Sequence, residues 1–132
     1  MIGTLVIRTA HQAIAIGALD IELREGTTSR WRTKIVLLSD GMRIESAAML
    51  DEEEIPALGA QLEELVQGQR SAASLASADG SLYLAFEAHS ESELVIVIRM
   101  LREGGVISVA ESRVARAHAG ELATAARRFP YG

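Results

Sequence analysis

Cysteine is absent from the 132 residues, which excludes disulfides, thiolate nucleophiles and cysteine-ligated metal sites. Aromatic residues are few: Trp31, Tyr83, Phe86, Phe129 and Tyr131. The core must therefore be built from Leu, Ile, Val and Ala. Lysine occurs once, as Lys34, and the formal charge is −5 with a pI near 5.2. Phosphate affinity comes mainly from Lys and Arg, so this balance disfavours nonspecific nucleic-acid binding. No apolar run approaches the roughly 20 residues that span a bilayer. The start, Met1-Ile2-Gly3-Thr4, lacks the basic region of a signal peptide, so a cytoplasmic protein with no membrane association is expected.

Apolar residues make up 48% and charged residues 23%, a globular composition on a chain of ordinary domain size. A single α+β domain over residues 1–132 is expected. Strand signals come first. Leu5-Val6-Ile7 is a short β-branched run, and residues 9–12 read as a turn. Ile14, Ile16 and Ala18 alternate with their neighbours, then the phase changes to Leu19, Ile21 and Leu23, which points to a β-bulge beside Gly17. Glu25-Gly26-Thr27-Thr28 is a turn. Trp31, Thr33, Ile35 and Leu37 alternate with Arg30, Arg32 and Lys34, and Ser39-Asp40-Gly41 is a hairpin signal. Met42, Ile44, Ser46 and Ala48 carry the return strand.

The acidic run Asp51-Glu52-Glu53-Glu54 and Pro56 mark a helix start near Glu54 or Ile55, because the positive end of the helix dipole favours carboxylates and proline fits the first turn. Leu58, Leu62, Leu65 and Val66 form one stripe, and Gly68 fits a C-terminal cap. The order then recurs. Ala73 and Leu75 precede the Asp79-Gly80 turn, Leu82, Leu84 and Phe86 alternate, and residues 94–101 are apolar except for Arg99. Glu103-Gly104-Gly105 reads as a turn, residues 106–110 as the last strand, and a helix is expected from about His118 to Arg128 with Leu122, Ala126 and Phe129 on one face. Pro130 stops it. A shift of 64 residues places Gly41 on Gly105, Leu58 on Leu122 and Leu65 on Phe129, a candidate internal repeat. The expected order is β4-α-β4-α in antiparallel sheet.

No enzyme site is legible. His89 with Glu91 and Glu93 is an isolated His-x-Glu pattern, more economically read as a solvated turn than as a metal site. His11 and His118 lack partners at ligand spacing. No GxSxG, P-loop or GxGxxG occurs, and no cofactor is expected. Arg30, Arg32 and Lys34 share one face of their strand opposite Trp31, a candidate face for a partner, set against an ordinary solvated strand face. Arg113, Arg116, Arg127 and Arg128 form a second basic zone around the last helix, where Arg127 and Arg128 also suit the helix C-terminus.

The stretches 31–38, 53–65, 82–86 and 122–130 together resemble the WapI-type immunity proteins of bacteria: a tryptophan-bearing strand, an acidic cluster before a Leu-rich helix, a Leu-x-Leu-x-Phe strand and a helix ending in Phe-Pro. Ser29-Arg30 stands where that family carries an acidic residue before an Asn-Trp pair. The resemblance implies a non-enzymatic protein that neutralises a cognate toxin by binding it. Two β4α units also resemble Whirly-type single-stranded nucleic-acid binders, which use basic and aromatic sheet faces. A homodimer is expected as well, through a sheet edge or the alanine-rich last helix.

Overall fold

The computed structural model describes residues 2–101, 105 and 107–131. Its order is β1(Gly3–Arg8), β2(Gln12–Glu22), β3(Arg30–Ser39), β4(Met42–Asp51), α1(Glu54–Val66), β5(Ala72–Ala76), β6(Leu82–Ala88), β7(Glu93–Leu101), β8(Ile107–Ala115) and α2(Arg116–Arg128). The β4-α-β4-α order read from the sequence is therefore the order of the fold. The strands divide into two four-stranded antiparallel meanders, sheet A in the order β1-β2-β3-β4 and sheet B in the order β5-β6-β7-β8.

The alternating residues define the faces. In β3, Trp31, Thr33, Ile35 and Leu37 are buried while Arg32 and Leu38 are exposed. The buried Thr33 hydroxyl donates to the Ala48 carbonyl at 2.7 Å, so its burial leaves no unmet polar group. The phase change in β2 is a bulge: the register against β3 shifts between Ala18 and Asp20. Leu19 is the extra residue, and its insertion turns Asp20 outward beside Arg32 and sets Ile21 opposite Trp31.

Two elements differ from expectation. The last strand runs to Ala115 rather than ending at Ala110, and the last helix begins at Arg116, two residues before His118. No polar break separates them: Ser112 and Val114 continue the inward row, and the helix N-cap is Ala115, which makes no side-chain cap. Arg113 accordingly sits on β8 and not on the helix. The Glu103-Gly104 part of the expected turn and Val106 lie outside the described residues; Gly105 has the positive φ of 81° that a turn glycine adopts.

The two β4α units correspond from their third strand onward. The 64-residue offset carries buried Ile55, Leu58, Leu62 and Leu65 of α1 onto buried Ala119, Leu122, Ala126 and Phe129. It also carries Leu50 of β4 onto Val114 of β8. β3 maps onto β7 with one residue fewer, so that the pair Trp31–Leu50 becomes Leu94–Val114. Each unit reaches across to the other in the same way. The Ala78 N–H, in the β5–β6 turn, donates to Met49 at 2.8 Å, and the Ala10 N–H, in the β1–β2 turn, donates to Arg113 at 3.3 Å.

The helices meet at Gly59 and Ala123, which the offset also pairs. A Cβ on Gly59 would stand 2.8 Å from the Ala123 carbonyl oxygen and 2.9 Å from the Arg127 nitrogen, so only glycine permits this approach. Ala119, Ala123 and Ala126 are thus packed inside the chain, and the alanine face of α2 is not left for a second copy. Side chains of both sheets and both helices form one continuous buried cluster. Among the described residues no helix is long and apolar enough to cross a membrane.

Candidate interaction surface

Each sheet has an inner face in the core and an outer face in solvent. On sheet A the outer face carries Arg30, Arg32 and Lys34, the three cations singled out from the sequence. β3 places them together, and strands on either side bring each an acid. Arg32 makes a two-pronged pair with Asp20, Nε to Oδ1 at 2.6 Å and Nη2 to Oδ2 at 2.8 Å. Arg30 Nε meets Asp51 at 2.8 Å, and Lys34 Nζ lies 3.8 Å from Glu45, which Arg43 also binds at 2.8 Å. The hydrogen bond from Arg32 holds the Asp20 carboxyl below the usual carboxylate range, and the hydrogen bond from Arg43 together with the nearby charge of Lys34 does the same for Glu45. These cations are directed at neighbouring strands, which reduces what they offer an incoming anion.

Four of the equivalent positions on sheet B are apolar, while Glu93 stands where Arg30 does and Arg99 and Glu111 stand where sheet A has Val36 and Ala47. Val95 and Val97 of β7 stand where Arg32 and Lys34 stand in β3. Ile107 and Val109 of β8 stand where Arg43 and Glu45 stand in β4. Val109 is 66% exposed and Ile107 52%, and Tyr83 and Leu101 on the same face are exposed as well. The cross-strand rows are Tyr83–Arg99–Val109 and Ala85–Val97–Glu111. In the sequence, Leu94 to Leu101 is a near-continuous apolar run broken by Arg99, as expected of a central strand. Both alternating sets of residues 94–98 are apolar, the pattern of a strand buried on both faces, so the sequence does not mark Val95 and Val97 as the outer set.

Edges matter as much as faces. The free N–H groups of edge strand β5 are met by α1: Ser74 N–H donates to Gln61 Oε1 at 3.0 Å and Ala76 N–H to Glu54 Oε1 at 3.4 Å. The edge of β1 is approached by the end of the chain, where the Pro130 carbonyl oxygen lies 1.7 Å from the place a Gly3 Cβ would occupy. β4 carries Arg43 and Glu45 along its free edge, the charged guards that discourage strand pairing. β8, in the equivalent place, has Ile107 and Val109.

The histidines are separated. His11 is exposed in the β1–β2 turn. His89 and Glu91 line a groove of about 470 Å³ with Arg116, whose guanidinium donates to the Leu65 and Ser90 carbonyls and ties the end of α1 to the β6–β7 turn. His118 lines a groove of about 480 Å³ with Arg8, Glu93 and Arg113, and its Nδ1 is 3.5 Å from Glu121. The second basic zone is dispersed: Arg113 pairs with Glu93 at 3.6 Å and Arg127 with Glu63 at 2.7 Å. No cluster of three metal-ligating side chains occurs among the described residues. Comparison with protein-family models, with curated proteins and with solved structures finds no match.

Proposed function

We propose that this chain is a non-enzymatic protein-binding module whose interface is the outer face of sheet B with its edge strand β8. The observation that carries the reading is the contrast between equivalent positions. Where β3 and β4 bear ion-paired Arg32, Lys34, Arg43 and Glu45, β7 and β8 bear Val95, Val97, Ile107 and Val109. A fold position that tolerates charge in one unit has no structural need of a valine in the other. Contiguous exposed apolar residues on a soluble face are the usual mark of a protein interface. An immunity protein, which covers a toxin without chemistry, is one member of this class, and the WapI-type resemblance is what favours it.

The test is affinity capture from the host with the wild-type chain and with Val109→Lys. A stoichiometric polypeptide retained by the wild type and lost by the variant is expected. Retention of the same partner by both proteins would overturn the assignment of this face.

A second reading, single-stranded nucleic-acid binding, draws on the doubled β4α order and on the Arg30, Arg32 and Lys34 face. The acid beside each of those cations and the net charge of −5 weigh against it. Absence of binding to single-stranded oligonucleotides at low salt is the expected result.

A further inference from the structure

We infer that the occupant of sheet B's outer face is a second copy of this chain, docked face to face across a two-fold axis that runs along the Val97–Val109 diagonal. The inference rests on reading that face as a protein interface and names its partner. Four residues at its centre form a rectangle, shorter across the strands than along them. Arg99 on β7 lies opposite Val109 on β8, and Val97 on β7 lies opposite Glu111 on β8. One diagonal therefore holds two valines and the other holds two opposite charges.

Arg99 and Glu111 differ from the cations that β3 and β4 carry on the outer face of sheet A. On sheet A, Arg30, Arg32, Lys34 and Arg43 all have acids beside them. Arg99 and Glu111 have no ion-pair partner among the described residues, although both lie within an apolar field that includes Tyr83, Leu101, Ile107 and Val109. A two-fold interface is made of one patch meeting itself, so each residue i that contacts j must be matched by j contacting i. Rotation about the Val97–Val109 diagonal meets that condition. It lays each valine over its own copy and brings Arg99 within side-chain reach of Glu111 of the second chain, twice. A patch carrying one charge of each sign is complementary to itself; a patch shaped for a strongly acidic or strongly basic partner would carry a single sign.

The first half of the edge strand β8 lacks the devices that keep sheets apart, and charge returns only at Glu111 and Arg113. The strand has no proline or lysine, and the charged guards of β4 are replaced by Ile107 and Val109. The alanine face of α2, the other surface that the sequence offers for self-association, is covered by α1 within the chain.

The experiment is sedimentation velocity of the full chain over a wide concentration range, with three surface variants: Arg99→Glu, Glu111→Arg and the double reversal. A concentration-dependent dimer is expected for the wild type. Each single reversal sets like charges against each other at two places and is expected to weaken the dimer about tenfold or more. The double reversal restores opposite charges and is expected to recover most of the affinity. A monomer at all concentrations overturns the inference, and so does a dimer indifferent to the single reversals. If the wild type is monomeric while Val109→Lys still abolishes capture of a different polypeptide, the second copy is excluded and the face survives as an interface. If a dimer forms and Val109→Lys leaves it intact, the face itself is excluded.

Discussion

Gly59 sets how closely α1 and α2 approach, and a neighbouring glycine supplies the control. Gly59→Ala forces a methyl group against the Ala123 carbonyl and is expected to destabilise the protein by about 1–3 kcal/mol in urea unfolding. Gly120, in α2, has open space where its Cβ would stand, so Gly120→Ala is expected to be neutral or to stabilise by up to about 1 kcal/mol through helix propensity. Phe86 is fully buried and the largest such side chain, and Phe86→Ala is expected to cost about 3–5 kcal/mol. Asp79 tests the turn it sits in. Its partial burial works to raise the carboxyl pKa, but hydrogen bonds from Ser81 and Ser77 outweigh this and hold it below the ordinary carboxylate value. A depressed folded-state value contributes stability above the unfolded value, and that contribution is lost as pH falls through the folded one. Acid titration of unfolding should therefore show a loss below about pH 4. That loss should be smaller in Asp79→Ala, which is already weakened at neutral pH.

At the scale of elements, α1 acts on sheet B more directly than on the sheet that precedes it. Gln61 and Glu54 accept hydrogen bonds from the outward N–H groups of β5. Gln61→Ala should quicken amide exchange at Ser74 while leaving Leu75, paired inward with Leu84, protected. Much at this scale was legible in the sequence, because local chemistry decides it. Pro56 and the acids before it mark the start of α1, Asp40-Gly41 and Asp79-Gly80 form turns with positive φ at glycine, and the phase change at Leu19 is the bulge. What was not legible depends on partners distant in the chain. The alternation in β8 passes through Ser112, whose polar side chain disguises an inward position, and α2 begins without a capping residue. The division into two sheets follows from where the helices pack, which no local pattern records. Nor does a run such as residues 94–101 reveal which of its halves faces solvent until its neighbours are known.

For the whole molecule the important fact is that neither unit has a core of its own. Residues of both sheets and both helices form one buried cluster, and each unit's turn donates to the other unit's edge strand. Unfolding should accordingly be a single cooperative transition. Trp31 lies in the first unit and Phe86 in the second. Phe86→Ala should shift the Trp31 fluorescence midpoint in urea as far as it shifts the far-ultraviolet circular dichroism midpoint; separate midpoints would show the units melting independently. The correspondence between units has a further consequence for how the sequence can change. Were β4α a subunit that assembled in identical pairs, every substitution would appear on both sides of the assembly, and a valine useful on one outer face would be imposed on the other. Joining the two units in one polypeptide removes that coupling. Val97 and Val109 can be selected at one address while Lys34 and Glu45 are kept at the matching one, so a symmetrical scaffold presents two different surfaces under separate inheritance.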